Sequence, residues 1–152
     1  MLGVAAVWDY RKGLEDFIEL KSFLNENYQI MLVGLSKLQI EKLPENIIGI
    51  ERTNSVLELA ELYSVADVFV NPTYEDNYPT TNIEAIACGT PVITYDTGGS
   101  VESAKMYGLI VPKKNIGLLD KAIENIGKIE PRKIDIDNKD AVRKYVELYE
   151  EI

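Results

Sequence analysis

The chain has 152 residues, of which 46% are hydrophobic and 27% charged, and its formal net charge is −9 at pH 7. This composition is typical of a folded domain with a core, while the negative charge argues against a nucleic-acid surface or an anionic-membrane surface. No apolar run reaches the roughly 20 residues of a membrane-spanning helix. There is no histidine and one cysteine, Cys88. Histidine-dependent catalysis, histidine metal sites and an internal disulfide are therefore excluded, and the sequence predicts a cytoplasmic protein.

Short apolar runs alternate with amphipathic segments in the first half of the chain. Strands are predicted at residues 2–7, 29–33 and 47–50, because these runs are apolar and of strand length. A helix is predicted at residues 14–25, where apolar side chains recur at helical spacing. A shorter helix at residues 36–43 is closed by Pro44, and a third at 56–65 follows Ser55, a suitable N-cap.

The second half continues the alternation. Strands are predicted at residues 68–70, 91–94 and 109–111, and Asn71-Pro72 ends the first of them. A short helix starts at residues 79–81 and runs to Cys88, where Gly89 is placed as a C-cap glycine. Residues 97–100, Thr-Gly-Gly-Ser, are predicted to form a flexible loop whose glycines allow close approach of a ligand or a neighbouring loop. Helices follow at residues 116–126 and 137–151.

Alternating strands and helices predict an α/β fold with a doubly wound, six-stranded parallel sheet in the order 3-2-1-4-5-6. Residues 1–152 are interpreted as one such domain. Sheets of this kind bind ligands at the switch between strands one and four, outside the carboxyl ends of the strands. The loops at residues 10–13 and 74–81 are therefore expected to face each other across a ligand site.

The residues of these two loops suit a ligand that is part anion and part polyol. Arg11 and Lys12 offer cations for a pyrophosphate, and the start of the helix near Thr80 offers free N–H groups. Glu75 and Asp76 would repel phosphate but accept hydrogen bonds from sugar or ribose hydroxyls. A nucleotide-sugar combines both features.

Residues 67–100 resemble the donor-binding half of family-4 glycosyltransferases, which are retaining enzymes of GT-B architecture. The family signature is a Glu, seven residues, a second Glu entering a helix, and then a Gly-x-Pro-Val turn and a Gly-Gly loop. Glu84 matches the second acid, and the turn and loop are present as Gly-Thr-Pro-Val and Gly98-Gly99. Counting back eight positions gives Asp76, with Glu75 one residue earlier, so either acid could take the first role.

The resemblance also implies roles for individual residues. Lys12-Gly13 matches the Lys-Gly with which the family holds the donor phosphates, although Val7 stands where the family tends to have an arginine. Glu84 would contact the ribose, and Arg52 follows strand three near the nucleobase position. Together with the residues suggested by chemistry, the expected donor site is Arg11, Lys12, Arg52, Glu75, Asp76, Thr80, Thr81, Asn82 and Glu84.

By this resemblance the chain is the C-terminal half of a GT-B glycosyltransferase of polysaccharide or glycan synthesis, binding a UDP- or GDP-sugar without cofactor or metal. An acceptor domain would precede residue 2 and supply part of the catalytic machinery, so no catalytic residue is assigned. The full-length enzyme is expected in the cytoplasm, free or peripheral to the inner face of the membrane. The isolated chain is expected to bind donor without transferring sugar.

Other interpretations depend on specific residues. A nicotinamide-binding domain would need G-x-G-x-x-G after strand one, where this chain has Trp-Asp-Tyr-Arg-Lys-Gly. A phosphoacceptor receiver domain would need paired acids there, and Asp9 stands alone. A nucleotide-sugar epimerase of related architecture has no specific residue in its favour. Thr81 and Glu84 have the spacing of a capping box, which gives Glu84 a purely structural alternative. Cys88 is predicted to be a small buried side chain rather than a nucleophile.

Overall fold

A computed structural model describes residues 1–129 of the chain, and the helix expected at residues 137–151 lies outside them. The strands are β1 (Leu2–Val4), β2 (Ile30–Val33), β3 (Ile47–Ile50), β4 (Phe69–Asn71), β5 (Val92–Tyr95) and β6 (Gly108–Val111). The helices are α1 (Leu14–Lys21), α2 (Lys37–Ile40), α3 (Val56–Val65), α4 (Thr80–Ala87), α5 (Ser100–Ala104) and α6 (Ile116–Ile126). A 3-10 turn, Tyr10–Lys12, lies between β1 and α1.

The six strands form one sheet in the order β3-β2-β1-β4-β5-β6, and every neighbouring pair is parallel. The predicted fold class and strand order are therefore confirmed. The chain order reverses between β1 and β4, which touch through Leu2 and Phe69. The carboxyl ends of these two strands are the place where a doubly wound sheet leaves a crevice.

Two cores lie on opposite faces of the sheet. Phe17 and Leu20 of α1 pack with Leu119 of α6 on one face. On the other face, Tyr63 of α3 packs with Ala85 of α4. Successive strand residues contribute to different cores, because side chains alternate along a strand, and this explains the continuous apolar runs of the sequence. Cys88 is partly buried against the second core, as a small apolar side chain.

Several boundaries differ from the sequence-based prediction. β1 ends at Val4 rather than residue 7, because the chain leaves the sheet and exposes Val7. α1 ends at Lys21, where the N–H of Ser22 already bonds to Glu19. The expectation of a simple flexible loop at residues 97–100 is wrong, since Ser100 begins α5 directly after the two glycines. Within residues 1–129, no helix is long and apolar enough to cross a membrane.

Candidate functional site

A cleft of about 520 Å³ lies at the switch between β1 and β4. Its lining comes from the segments that follow these two strands, namely Val4, Ala5, Ala6, Val7, Asp9, Arg11, Lys12, Asn71, Asp76, Tyr78, Pro79, Thr80 and Thr81. The two loops contact each other directly, because the N–H of Tyr74 donates to the carbonyl of Arg11 over 2.7 Å. The prediction that these loops meet at the switch point is therefore confirmed.

The loop after β1 is shaped by Asp9. One oxygen of its carboxylate accepts from the backbone N–H of Arg11 over 2.9 Å, and the other accepts from the Arg11 guanidinium over 2.7 and 3.0 Å. These hydrogen bonds from Arg11 lower the pKa of the Asp9 carboxyl. The Asp9 carboxylate in turn raises the pKa of the Arg11 guanidinium. Arg11 thus lines the cleft with its charge already paired, in an exposed ion pair that contributes little stability.

Lys12 reaches across the cleft to the opposite loop. Its Nζ lies 2.6 Å from Oδ2 of Asp76, and the two side chains are 32% and 14% exposed. Of the two acids that the sequence left open, Asp76 is therefore the one inside the cleft. Glu75 is exposed and lies outside the cleft lining.

The acidic loop is held against the glycine loop. The N–H of Gly99 donates to the carbonyl of Asp76 over 3.2 Å. A Cβ at Gly98 would lie 2.0 Å from that carbonyl oxygen, and one at Gly99 would lie 1.8 Å from the carbonyl oxygen of Asn77. The sequence predicts that these glycines allow close approach of either a ligand or a neighbouring loop. In the structure they lie against a neighbouring loop, the acidic loop at Asp76 and Asn77.

A second clamp on the acidic loop comes from Asp16, which is only 5% exposed. Its carboxylate accepts hydrogen bonds from the hydroxyls of Tyr74 and Tyr95, whose rings stack in parallel with centroids 6.0 Å apart. Burial, followed by the bonds to Asp16, raises the pKa of both tyrosines. This cluster is not predictable from the sequence, because a carboxylate on an amphipathic helix gives no signal of burial.

The start of α4 forms the opposite wall of the cleft. Thr80 and Thr81 both line it, as expected. The N-cap residue is Pro79, so no side chain caps the first N–H groups of this helix. The N–H of Asn82 bonds to the carbonyl of Pro79, whereas those of Thr80 and Thr81 remain available for an anion.

Asn82 differs from the expectation of a donor-binding side chain. It is fully buried, its Oδ1 accepts from Asn71 over 2.8 Å, and its Nδ2 donates to the hydroxyl of Ser103 over 2.8 Å. Its backbone N–H bonds to the carbonyl of Pro79. Its side-chain amide thus anchors α4 between β4 and α5.

Glu84 and Arg52 lie outside the cleft lining. Oε2 of Glu84 accepts a 3.0 Å hydrogen bond from the hydroxyl of Tyr63 on α3. The capping-box alternative for Glu84 is wrong, because α4 begins at Thr80 and Thr81 is already a helical residue. Arg52 is exposed in the loop after β3, two strands away from β1.

Two curated bacterial proteins are similar in sequence to this chain. A curated relative from Campylobacter jejuni, N,N'-diacetylbacillosaminyl-diphospho-undecaprenol alpha-1,3-N-acetylgalactosaminyltransferase, is 26% identical over 97% of this chain and 43% of its own length. The alpha-galactosylglucosyldiacylglycerol synthase of Streptococcus pneumoniae is 34% identical over 57% of this chain and 26% of its own length.

Solved structures share the fold. Sucrose-phosphate synthase from Thermosynechococcus elongatus superposes with a TM-score of 0.72 at 28% identity, covering 84% of this chain and 36% of that chain. HepE from Anabaena, solved in complex with UDP-glucose, gives a TM-score of 0.69 at 16% identity over 82% of this chain and 38% of its own. The present chain therefore spans less than half the length of these relatives.

The family comparison covers the whole described sheet. The model of a family described as "Glycosyl transferases group 1" matches residues 1–128, from β1 through the end of α6. The chain therefore belongs to the group 1 glycosyl transferases.

Proposed function

We propose that this chain is the donor-binding domain of a retaining, family-4-like glycosyltransferase and that its ligand is a nucleoside diphosphate-sugar. The observation that carries the proposal is the cleft at the switch point. There the Lys12 cation, the uncapped start of α4 and the Asp76 carboxylate converge on one space of about 520 Å³. That volume is within the range of small-molecule sites.

Each feature of the cleft matches one part of such a donor. The diphosphate would lie against the N-terminus of α4, where free N–H groups and the helix dipole favour an anion, with Lys12 as its cation. Hydroxyls of the sugar would donate to Asp76. Glu84 and Arg52 lie outside the cleft lining, and in this proposal the ribose and the base would extend from the diphosphate toward them.

Relatives support the same assignment. The Campylobacter and Streptococcus proteins are named as a glycosyltransferase and a glycolipid synthase, and HepE was solved with UDP-glucose. Family membership favours sugar transfer over the receiver and epimerase alternatives. We propose that the full enzyme transfers a hexose to a growing polysaccharide or lipid-linked glycan. In this proposal an acceptor-binding domain faces the cleft and provides part of the catalytic machinery.

Ligand-induced stabilisation tests the proposal. Thermal unfolding should be measured with UDP, GDP, ADP and their sugar derivatives. A ligand present at about 100 times its dissociation constant is expected to stabilise the fold by roughly 2.7 kcal/mol. The absence of stabilisation by every nucleotide-sugar in the panel, at concentrations up to the millimolar range, would contradict a donor site.

The variant Lys12→Ala tests the role of the cation. We expect it to lower affinity for the diphosphate by about tenfold, the value of one charge-assisted hydrogen bond, and to leave affinity for the nucleoside nearly unchanged. The defect should shrink as salt increases, because salt screens the wild-type contact. Calorimetry with UDP against uridine, or GDP against guanosine, measures the difference.

Lys42→Ala is the matched control, since Lys42 is an exposed lysine between α2 and β3 and outside the cleft lining. It removes the same charge and is expected to bind as wild type. Equal losses for nucleoside and nucleotide in Lys12→Ala would indicate a damaged fold instead of a lost phosphate contact.

A further inference from the structure

The ion pair between Lys12 and Asp76 occupies the two charged groups that the proposed donor would need. Each would have to leave the other when a diphosphate and a sugar enter. We propose that this exchange makes Asp76 a specificity-determining residue, which favours the sugar-bearing donor and penalises the nucleoside diphosphate that remains after transfer. The inference rests on the proposed function and adds a selectivity to it.

The pair differs from the other ion pair found within residues 1–129. Arg11 and Asp9 belong to one loop, and their side chains are 53% and 35% exposed. Lys12 and Asp76 are 64 positions apart in sequence and join the two sides of the cleft. Asp76 is only 14% exposed, so water screens its charge weakly and its carboxylate needs a partner.

The backbone on both sides of the pair is fixed. The carbonyl of Asp76 accepts from Gly99, and a Cβ at Gly98 would lie 2.0 Å from it. On the other side, the carbonyl of Arg11 accepts from Tyr74 over 2.7 Å and from the hydroxyl of Thr73 over 3.1 Å. The exchange must therefore occur by side-chain rotation, which the long stem of lysine permits, and not by opening of the loops.

The charges then determine which ligand is favoured. A diphosphate at the start of α4 attracts Lys12 and removes the cation from Asp76. The carboxylate is left partly buried and next to another anion, an arrangement that costs free energy unless a donor replaces the lysine. A sugar on the terminal phosphate can supply such a donor as a hydroxyl. The bare nucleoside diphosphate cannot, so it binds against an uncompensated charge.

Asp76→Asn tests the exchange in the full 152-residue chain. Asparagine has the same size and still accepts a hydroxyl hydrogen bond, but it cannot hold Lys12 by charge. We expect affinity for inorganic pyrophosphate, UDP and GDP to rise by about tenfold, since the competing carboxylate and its repulsion are gone. Affinity for the matching nucleotide-sugar should stay the same or fall, because the charged acceptor is lost. Isothermal calorimetry measures all of these affinities.

Two further variants serve as comparisons. Asp67→Asn removes an exposed aspartate just before β4, at the far end of the sheet, and is expected to bind every ligand as wild type. Asp76→Glu keeps the charge and is expected to retain the preference for the sugar-bearing ligand. Melting temperatures of all variants establish that each one folds. Comparison of Asp76→Glu with Asp76→Asn shows the effect of the negative charge at position 76.

The outcomes separate this inference from the proposed function. Unchanged or weaker pyrophosphate binding in Asp76→Asn overturns the exchange, as does an equal gain in affinity for nucleotide and nucleotide-sugar. A wild-type chain that binds none of the nucleotide-sugars removes the proposed function and the sugar preference with it. In that case, pyrophosphate binding still tests whether Asp76 competes with an anion for Lys12. Tighter pyrophosphate binding by Asp76→Asn than by wild type supports this competition.

Discussion

Lys12 and Gly13 have separate tasks at the end of the turn after β1. Gly13 has φ of +71°, and a Cβ on it would lie 2.3 Å from the carbonyl oxygen of Pro72. Only glycine permits both this conformation and this contact. The contact brings the loop after β1 against the loop after β4 and places Lys12 opposite Asp76. In the Lys-Gly pair, the lysine therefore provides the cation, and the glycine provides the backbone conformation that directs it toward Asp76.

Glu84 has a structural partner and lies outside the cleft lining, so its proposed contact with the ribose requires a direct test. It is exposed, and its carboxylate accepts from the Tyr63 hydroxyl over 3.0 Å, a contact that by itself gives Glu84 a structural role. If it also accepts from ribose hydroxyls, Glu84→Gln is expected to weaken nucleotide binding by about 1–3 kcal/mol with little loss of stability. Titration calorimetry with UDP and GDP measures the loss.

Tyr63→Phe provides the comparison for Glu84. It removes the hydrogen bond between Tyr63 and Glu84 but leaves the carboxylate in place, so nucleotide affinity should be retained. If Glu84→Gln leaves nucleotide affinity unchanged and only Tyr63→Phe loses stability, Glu84 has only the structural role.

At the scale of elements, a buried polar chain fixes the start of α4. Asn71 at the end of β4 donates to Asn82, which donates to Ser103 of α5, whose hydroxyl donates to the carbonyl of Ser100. Buried amides are stable only with their partners satisfied, so the three elements have one defined arrangement. This arrangement positions Thr80 and Thr81 at the cleft, although neither takes part in it.

The cluster of Asp16, Tyr74 and Tyr95 makes stability depend on alkaline pH. Both tyrosines have a pKa raised above the ordinary value of 10.0, first by burial and then by their bonds to Asp16. Above pH 10 the unfolded chain has released these phenol protons, whereas the folded chain retains them. Their contribution is therefore complete below pH 10 and is lost as the pH rises through the folded pKa, so the free energy of unfolding falls.

We expect Tyr74→Phe to reduce this alkaline slope by up to about 1.4 kcal/mol per pH unit, the value for one proton. Urea unfolding at a series of pH values between 9 and about 11 measures the slope. Tyr10→Phe removes an exposed phenol that makes no hydrogen bond to Asp16 and serves as the matched control. A Tyr74→Phe slope equal to that of wild type would show that the phenol of Tyr74 ionises alike in both states.

At the scale of the whole molecule, the described residues provide one sheet and a cleft at its switch point. Val7 and Tyr10 at its edge are 68% and 71% exposed. Group transfer requires that the acceptor be positioned against the sugar and that water be excluded. The isolated 152-residue chain is therefore expected to bind donor without turnover.

A coupled assay for nucleotide release from UDP- and GDP-sugars tests this expectation. Release at the rate of buffer alone agrees with it. Donor-specific release that Lys12→Ala abolishes would show that the chain contains a working active site by itself.

Much of the fold could be predicted from local signals. The bounds of β3, α3 and α6 agree with prediction to the residue, because their apolar spacing is regular and caps such as Ser55 and Asn115 accept from the helix backbone. α5 is not predicted by local signals, because Gly-Gly-Ser composition indicates a loop. Its helical turns are stabilised by burial of Ser103 and Ala104, which no local signal reports.

The same division holds for the site. The sequence by itself determined the parallel sheet, the switch point and the meeting of the loops that carry Lys12 and Asp76, because alternating apolar runs and right-handed connections permit few topologies. Only the tertiary structure decided that Asp76 rather than Glu75 faces Lys12. It also decided that the side chain of Asn82 is hydrogen-bonded within a buried network and that Asp16 holds the acidic loop through Tyr74. These outcomes depend on side-chain direction and burial between segments distant in sequence, and residue order alone does not encode either in a local pattern.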